Sequence, residues 1–298
     1  MSVRQDTSQQ YPKMRRRRSF RSVASRELKK APWSAWFGMA VIALYGLTAV
    51  FAPLIAPHGE SEIVSALPYD QWSASFPLGT DQLGRDVLTR MIYGARNTLG
   101  IALAATLASF FVGGALGILV SVLRGWLDQL LSRAVDALIA IPALIFALVL
   151  LSIFGSSVLN LIIIIAVLDS TRVFRLTRSV AMNVAVMDFV EAARLRGEKL
   201  TWIVAREILP NILPTLITEF GLRFCFVFLT ISALSFLGLG IQPPTADWGS
   251  MVRESAALIS YGDITPLLPA GCIALLTVAV NYVVDWVIHR TSGLPNDR

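Results

Sequence analysis

The sequence predicts an all-α membrane protein with six transmembrane helices and both termini on the cytoplasmic side. Three observations predict it: an apolar composition, six apolar runs of bilayer-spanning length, and basic residues gathered in alternate loops. Of 298 residues, 55% are hydrophobic and 15% charged, whereas soluble domains carry about 25% charged residues. Mean hydropathy is +0.63. So much apolar surface cannot be hidden in one soluble core, and a lipid bilayer is its natural solvent. The formal charge of +6 does not indicate a nucleic-acid partner, because it concentrates in two segments beside apolar runs.

A helix needs about 20 apolar residues to cross a bilayer. The chain opens with a basic cytoplasmic leader, residues 1–32, whose Ser- and Gln-containing start reads as disordered. Its run Arg15, Arg16, Arg17 and Arg18 reads as a topology anchor attracted to an anionic leaflet. The first span is Trp33–Ile55. It is too long for a signal-peptide core and lacks a small-residue cleavage site, so it is retained. Residues 56–97 follow as a periplasmic segment. A five-helix core over 98–288 then has spans at 98–123, 134–154 (interrupted by Pro142), 158–174, 212–239 and 264–288. Between them lie a cytoplasmic loop at 175–211 and a periplasmic loop at 240–263. Residues 289–298 form a cytoplasmic tail.

Orientation comes from Lys and Arg. The leader adds Arg21, Arg26, Lys29 and Lys30 to its arginine run. The loop at 175–211 holds Arg175, Arg178, Arg194, Arg196, Lys199 and Arg206. The two opposite loops hold Arg85, Arg90, Arg96 and Arg253, and more acids, among them Glu60, Asp81, Asp86, Asp247 and Glu254. Two cysteines, Cys225 and Cys272, sit in separate apolar runs and read as small buried residues. The two histidines, His58 and His289, are isolated. A disulfide framework, a zinc site and His-based catalysis are therefore not expected.

The most informative stretch is MDFVEAARLRGEKLTWIVAREILPN, from Met187 to Asn211. Asp188 and Glu191 have capping-box spacing. Gly197 is placed to end a short helix in a left-handed turn. A second helix, over 200–209, is expected to stop at Pro210. Helix-turn-helix DNA binding is excluded by the flanking spans. Phe189, Val190 and Leu195 would be apolar in the cytoplasm, so the loop should dock on a partner.

Charges also fall in or near spans. Asp136 and Asp285 lie near cytoplasmic ends and read as anchors. Glu219 and Arg223, four residues apart, share a helical face. Arg223 lies roughly 16 Å into the fifth span, near mid-bilayer. The pair either neutralises itself or lines a substrate path. Asp169 has Arg172 three residues on, with the same two readings.

The pattern Glu191-Ala192-Ala193, then Gly197, then Ile208-Leu209-Pro210 resembles the cytoplasmic loop of permease subunits of ATP-binding-cassette importers. The segments PLGTDQLGRDVLTRMIYGAR (residues 77–96) and LSFLGLGIQPPTADWGSM (residues 234–251) resemble signatures of the dipeptide, oligopeptide and nickel branch. The turn at residues 123–128 and the end of the last span depart from that branch. The resemblance implies a type I importer permease fold in the bacterial inner membrane and no catalytic activity in this chain. It implies an ATPase-coupling role for Glu191, Ala192, Ala193, Leu195, Gly197 and Pro210, whereas a substrate path at Glu219, Arg223 and Asp169 rests on their charge and depth in the spans. It also implies a second homologous permease, two ATPase subunits or domains and a periplasmic solute-binding protein. The chain has no G-x-x-x-x-G-K-[ST] phosphate loop, so ATP and Mg would belong to the partner ATPase. Competing readings are an ion-coupled secondary transporter, a membrane-embedded enzyme, or an importer of nickel, glutathione-like or opine-like solutes.

Overall fold

In lipid a chain must satisfy its backbone polar groups internally, which favours helices. The computed structural model describes residues 31–291, and helices carry most of them. The leader up to residue 30, with its Arg15–Arg18 run, and the tail beyond residue 291 lie outside the described residues. The helices are α1 (Trp33–Ile55), α2 (Val87–Leu123), α3 (Trp126–Ile139), α4 (Ala143–Phe154), α5 (Val158–Ala185), α6 (Asp188–Leu195), α7 (Leu200–Ile203), α8 (Leu209–Phe236), α9 (Trp248–Ser255) and α10 (Leu267–Thr291).

Four helical stretches are long and apolar enough to cross a membrane: Trp33–Ile55, Val87–Leu123, Leu200–Phe236 and Leu267–Arg290. The first and last match expectation closely. The second begins at Val87 rather than 98, because Asp86 caps it by accepting from the Thr89 backbone N–H at 2.9 Å. The helix therefore projects beyond its apolar stretch. The expected third span does not form one rod. α3 and α4 meet at 89°, with Pro142 at the start of α4. Proline lacks an N–H and disfavours helical backbone at the residue before it. The expected fourth span is the 28-residue α5, longer than its apolar run. Asp169, Arg172, Arg175 and Arg178 make it more polar than the four long stretches.

α2 and α5 pack closely along two glycines spaced G-x-x-x-G. A Cβ on Gly113 would lie 2.4 Å from the Ser170 carbonyl oxygen, and one on Gly117 would lie 2.8 Å from Thr177 Cβ. Small residues let membrane helices approach in this way. The segments at 56–97 and 240–263 meet in a single cap. Glu60 Oε1 accepts from the Ala246 N–H at 2.6 Å and from Asn97 Nδ2 at 2.7 Å. Asp81, Arg85, Arg90 and Glu254 form a buried cluster: Arg85 Nε lies 2.7 Å and Arg90 Nε 3.3 Å from Asp81, and Arg90 Nη2 lies 3.4 Å from Glu254. Trp248 is 2% exposed and meets the Tyr45 ring edge-on at 5.4 Å. Asp247 caps α9 through the Gly249 and Ser250 N–H groups. Burial nevertheless pushes the Asp247 carboxyl above the usual carboxylate range.

Gly113→Ala should therefore destabilise the chain by about 1–3 kcal/mol, the range for overpacking. Gly100→Ala, on the same helix with nothing within 4 Å of the added methyl, should not. Thermal melting of the two purified variants in detergent checks the difference.

Candidate functional site

The elbow, residues 187–211, is built as two helical pieces around a glycine. Met187, extended at φ −77° and ψ 149°, precedes α6, and no side chain caps it. This corrects the capping-box expectation. Met187 takes the extended position, so Asp188 and Glu191 both fall inside the first turn. There they contribute as negative charges at the positive end of the helix dipole. The Glu191 carboxylate is exposed and makes no hydrogen bond or ion pair among the described residues.

The other end of α6 forms as expected. Gly197 has φ +78°, a conformation that costs side-chain-bearing residues energy. Its N–H donates to the Arg194 carbonyl at 2.9 Å, and the Glu198 N–H donates to Ala193 at 3.2 Å. This pair of bonds is the Schellman closure.

α6 has two faces. Val190 and Ala193 are fully buried against Ile203, Ile208 and Ile212, and against Ala181 of α5. Glu191, Ala192 and Leu195 point outward, with Leu195 84% exposed. Pro210 does not stop the second helix, contrary to expectation. Residues Val204–Ile208 form a widened π turn, and the Leu209 N–H reaches the Val204 carbonyl five residues back. A π turn can absorb the register change that proline imposes. Pro210 thus sits in the first turn of α8, and the helix is continuous from Leu200 to Phe236.

The three intramembrane charges converge. Arg223 Nε donates to Glu219 Oε1 at 2.7 Å. Its Nη1 lies 3.7 Å from Asp169 Oδ1 on α5. Ser109 of α2 donates to Asp169 Oδ2 at 3.2 Å. The Asp169 side chain is 7% and the Arg223 side chain 14% exposed. The Arg223 guanidinium also lies 5.0 Å from the centre of the Phe226 ring. Asp169 therefore pairs across helices, not with Arg172, whose side chain is exposed. Asp136 faces Arg175 at 3.9 Å, both exposed, while Asp285 is exposed on α10. Sequence reasoning missed Asp128, which accepts from Arg178 Nη2 at 2.7 Å. Fifty positions separate that pair, so neither periodicity nor local spacing announced it. Cys225 and Cys272 are free thiols.

Residues 113–292 match the family described as binding-protein-dependent transport system inner membrane component. That match runs from Gly113 in α2 through the elbow and the triad to the end of α10. The chain belongs to this permease family. Residues 19–71 match the N-terminal transmembrane domain of oligopeptide transport permease C. The chain is 34% identical to a dipeptide transport system permease protein of Alkalihalophilus pseudofirmus, covering 88% of this chain and 86% of the relative. It is 35% identical to a di/tripeptide transport system permease protein of Pseudomonas aeruginosa, covering 83% and 84%. A glutathione transport system permease protein of Pectobacterium atrosepticum is 31% identical over 72% of this chain and 71% of its own length. The permease is thus a multi-pass inner-membrane transport component of the type I fold rather than an enzyme.

Removing one partner from a buried ion pair leaves a charge uncompensated, at a cost of about 3–5 kcal/mol. Arg223→Met should destabilise the permease on that scale. The triple change Arg223→Met, Asp169→Asn, Glu219→Gln should recover most of the loss. Melting temperatures of the two variants in the same detergent test this.

Proposed function

We propose that this permease is the second membrane subunit of an ATP-driven, binding-protein-dependent importer of di- and oligopeptides. The observation that carries the reading is the two-faced α6. Its inner face is packed on the root of a helix that continues through the bilayer, and its outer face offers Leu195, Ala192 and Glu191 to a partner. Exposed apolar surface of this kind marks an interaction site. Ala193 and Gly197 shape that surface from behind, and Pro210 begins the helix that would carry a push inward.

The basic residues of the leader and of the loop at 175–211 support a cytoplasmic elbow and, with six spans, both termini inside. The partners are a homologous permease, two ATPase subunits or domains holding ATP and Mg, and a periplasmic solute-binding protein. Substrate passes between the two permeases by alternating access, with the Asp169–Arg223–Glu219 triad fixing α5 to α8 beside the path. Short peptides are the substrate class because the relatives at 34% and 35% identity carry peptide names. Similarity to the glutathione permease keeps a tripeptide-like solute within the same chemistry.

Leu195→Asp places a charge in the middle of the exposed face while leaving the buried face intact. Copurification of the ATPase with the permease should fall at least about tenfold, equivalent to 1.4 kcal/mol, and peptide uptake should fall with it. The melting temperature should stay near wild type. Unchanged copurification and uptake would defeat the coupling role. Uptake that persists without ATP and collapses with the proton gradient would favour ion-coupled transport.

A further inference from the structure

Among the charges of α5, Arg172 has a different environment from the rest. Arg178 is held by Asp128, Arg175 faces Asp136, and Asp169 is taken by Arg223. Arg172 makes no hydrogen bond or ion pair within 4 Å among the described residues and acts on the Asp169 carboxylate only through space, and its side chain is exposed. It lines a cleft with Asp169, Ala143 of α4, and Phe226 and Thr230 of α8.

Its depth makes this arrangement informative. Arg172 lies about 21 Å from the Val158 end of a helix about 42 Å long. Side chains on a helix lean toward its N-terminus, so Arg172 leans toward the Val158 end and the level of Asp169. A guanidinium inside the span is costly to leave against lipid, so water, a ligand or the partner permease has to face it.

We propose that Arg172 lines the aqueous path of the permease and is the group that receives the carboxylate of a passing peptide. This assignment rests on the permease reading above. It moves substrate recognition from Arg223, which meets two carboxylates at close range, to Arg172, which has no ion pair within 4 Å. The planar guanidinium suits a carboxylate, which it can engage through two parallel N–H donors. Phe226 and Thr230 supply an apolar and a hydroxyl wall opposite.

A cysteine at Thr230 reports on this cleft in the assembled complex, with the native-cysteine background subtracted. The Thr230→Cys complex should react with the anionic reagent sulfonatoethyl methanethiosulfonate about tenfold faster than with its trimethylammonium counterpart, the lower end of electrostatic rate effects. Adding Arg172→Gln should abolish the preference, and Arg172→Lys should retain much of it. Millimolar glycyl-leucine should slow the anionic reagent, and glycyl-leucinamide should not. Reaction with membrane-permeant N-ethylmaleimide alone would overturn the aqueous placement. A charge preference that survives Arg172→Gln, or equal effects of the acid and the amide, would overturn the carboxylate role. Copurification of the ATPase with the wild-type complex tests the permease reading separately.

Discussion

Arg223 can be buried among apolar helices only because two carboxylates meet it, one from its own helix and one from α5. In water such a pair contributes little. Inside a bundle, its absence would leave a charge where neither water nor lipid can answer it. The triad therefore fixes how α8 and α5 face each other. Ser109 on α2 joins the same carboxylate, and the glycines of α2 admit α5 to close contact one to two turns further along. Three helices are thereby held by one polar junction and one stripe of small residues. Depth agrees from both ends. Asp169 lies roughly 17 Å from the start of α5, and Arg223 lies about the same distance beyond Ile212, at the standard helical rise.

Three prolines show how the same residue produces different outcomes. Pro142 falls between α3, which carries Asp128, Arg133 and Asp136, and the apolar α4, and the chain turns through 89°. Pro210 falls where α6, α7 and α8 share a buried cluster around Ile203, Ile208 and Ile212. That packing holds the axis while a π turn absorbs the misfit. Pro53 lies within the last turn of α1, which simply continues to Ile55. Local chemistry forbids one hydrogen bond in each case. Whether the helix breaks, widens or continues depends on the tertiary contacts around it.

The same distinction explains what the sequence disclosed. Helix content, the first and last spans, the Gly197 turn and the choice of Asp169, Glu219 and Arg223 as intramembrane charges were legible, because each depends on a window of a few residues. The rest depended on partners distant in sequence. Local spacing offers Asp169 only Arg172, its neighbour on the helix, although its ion-pair partner is Arg223 on another helix. Asp188 was read as a cap because its spacing to Glu191 was right, but the spacing could not reveal that Met187 would adopt the extended backbone. Apolar length found the second span and missed its extension to Val87, since that part of α2 stands on Asp86 and a buried charge cluster rather than on lipid. Gly113 and Gly117 were readable as a close-packing motif, yet only the fold names α5 as the helix that fills it.

A continuous helix from Leu200 to Phe236 has a mechanical consequence. A flexible joint at Pro210 would let α6 move without moving the membrane helix. The observed π turn keeps the helix continuous, and Val190 and Ala193 seat α6 on that helix near its root. From Ile203 to Arg223 is roughly 30 Å of unbroken helix. Displacement of α6 must therefore reach the triad as motion of a rod, through the contacts of α8 with α5. Since α5 also carries Arg172 into the cleft against Phe226 and Thr230 of α8, sliding or tilting between these two helices changes the width of that cleft directly. On the proposed reading, the motor surface and the solvated arginine are coupled by only two rigid elements and the charge pair between them.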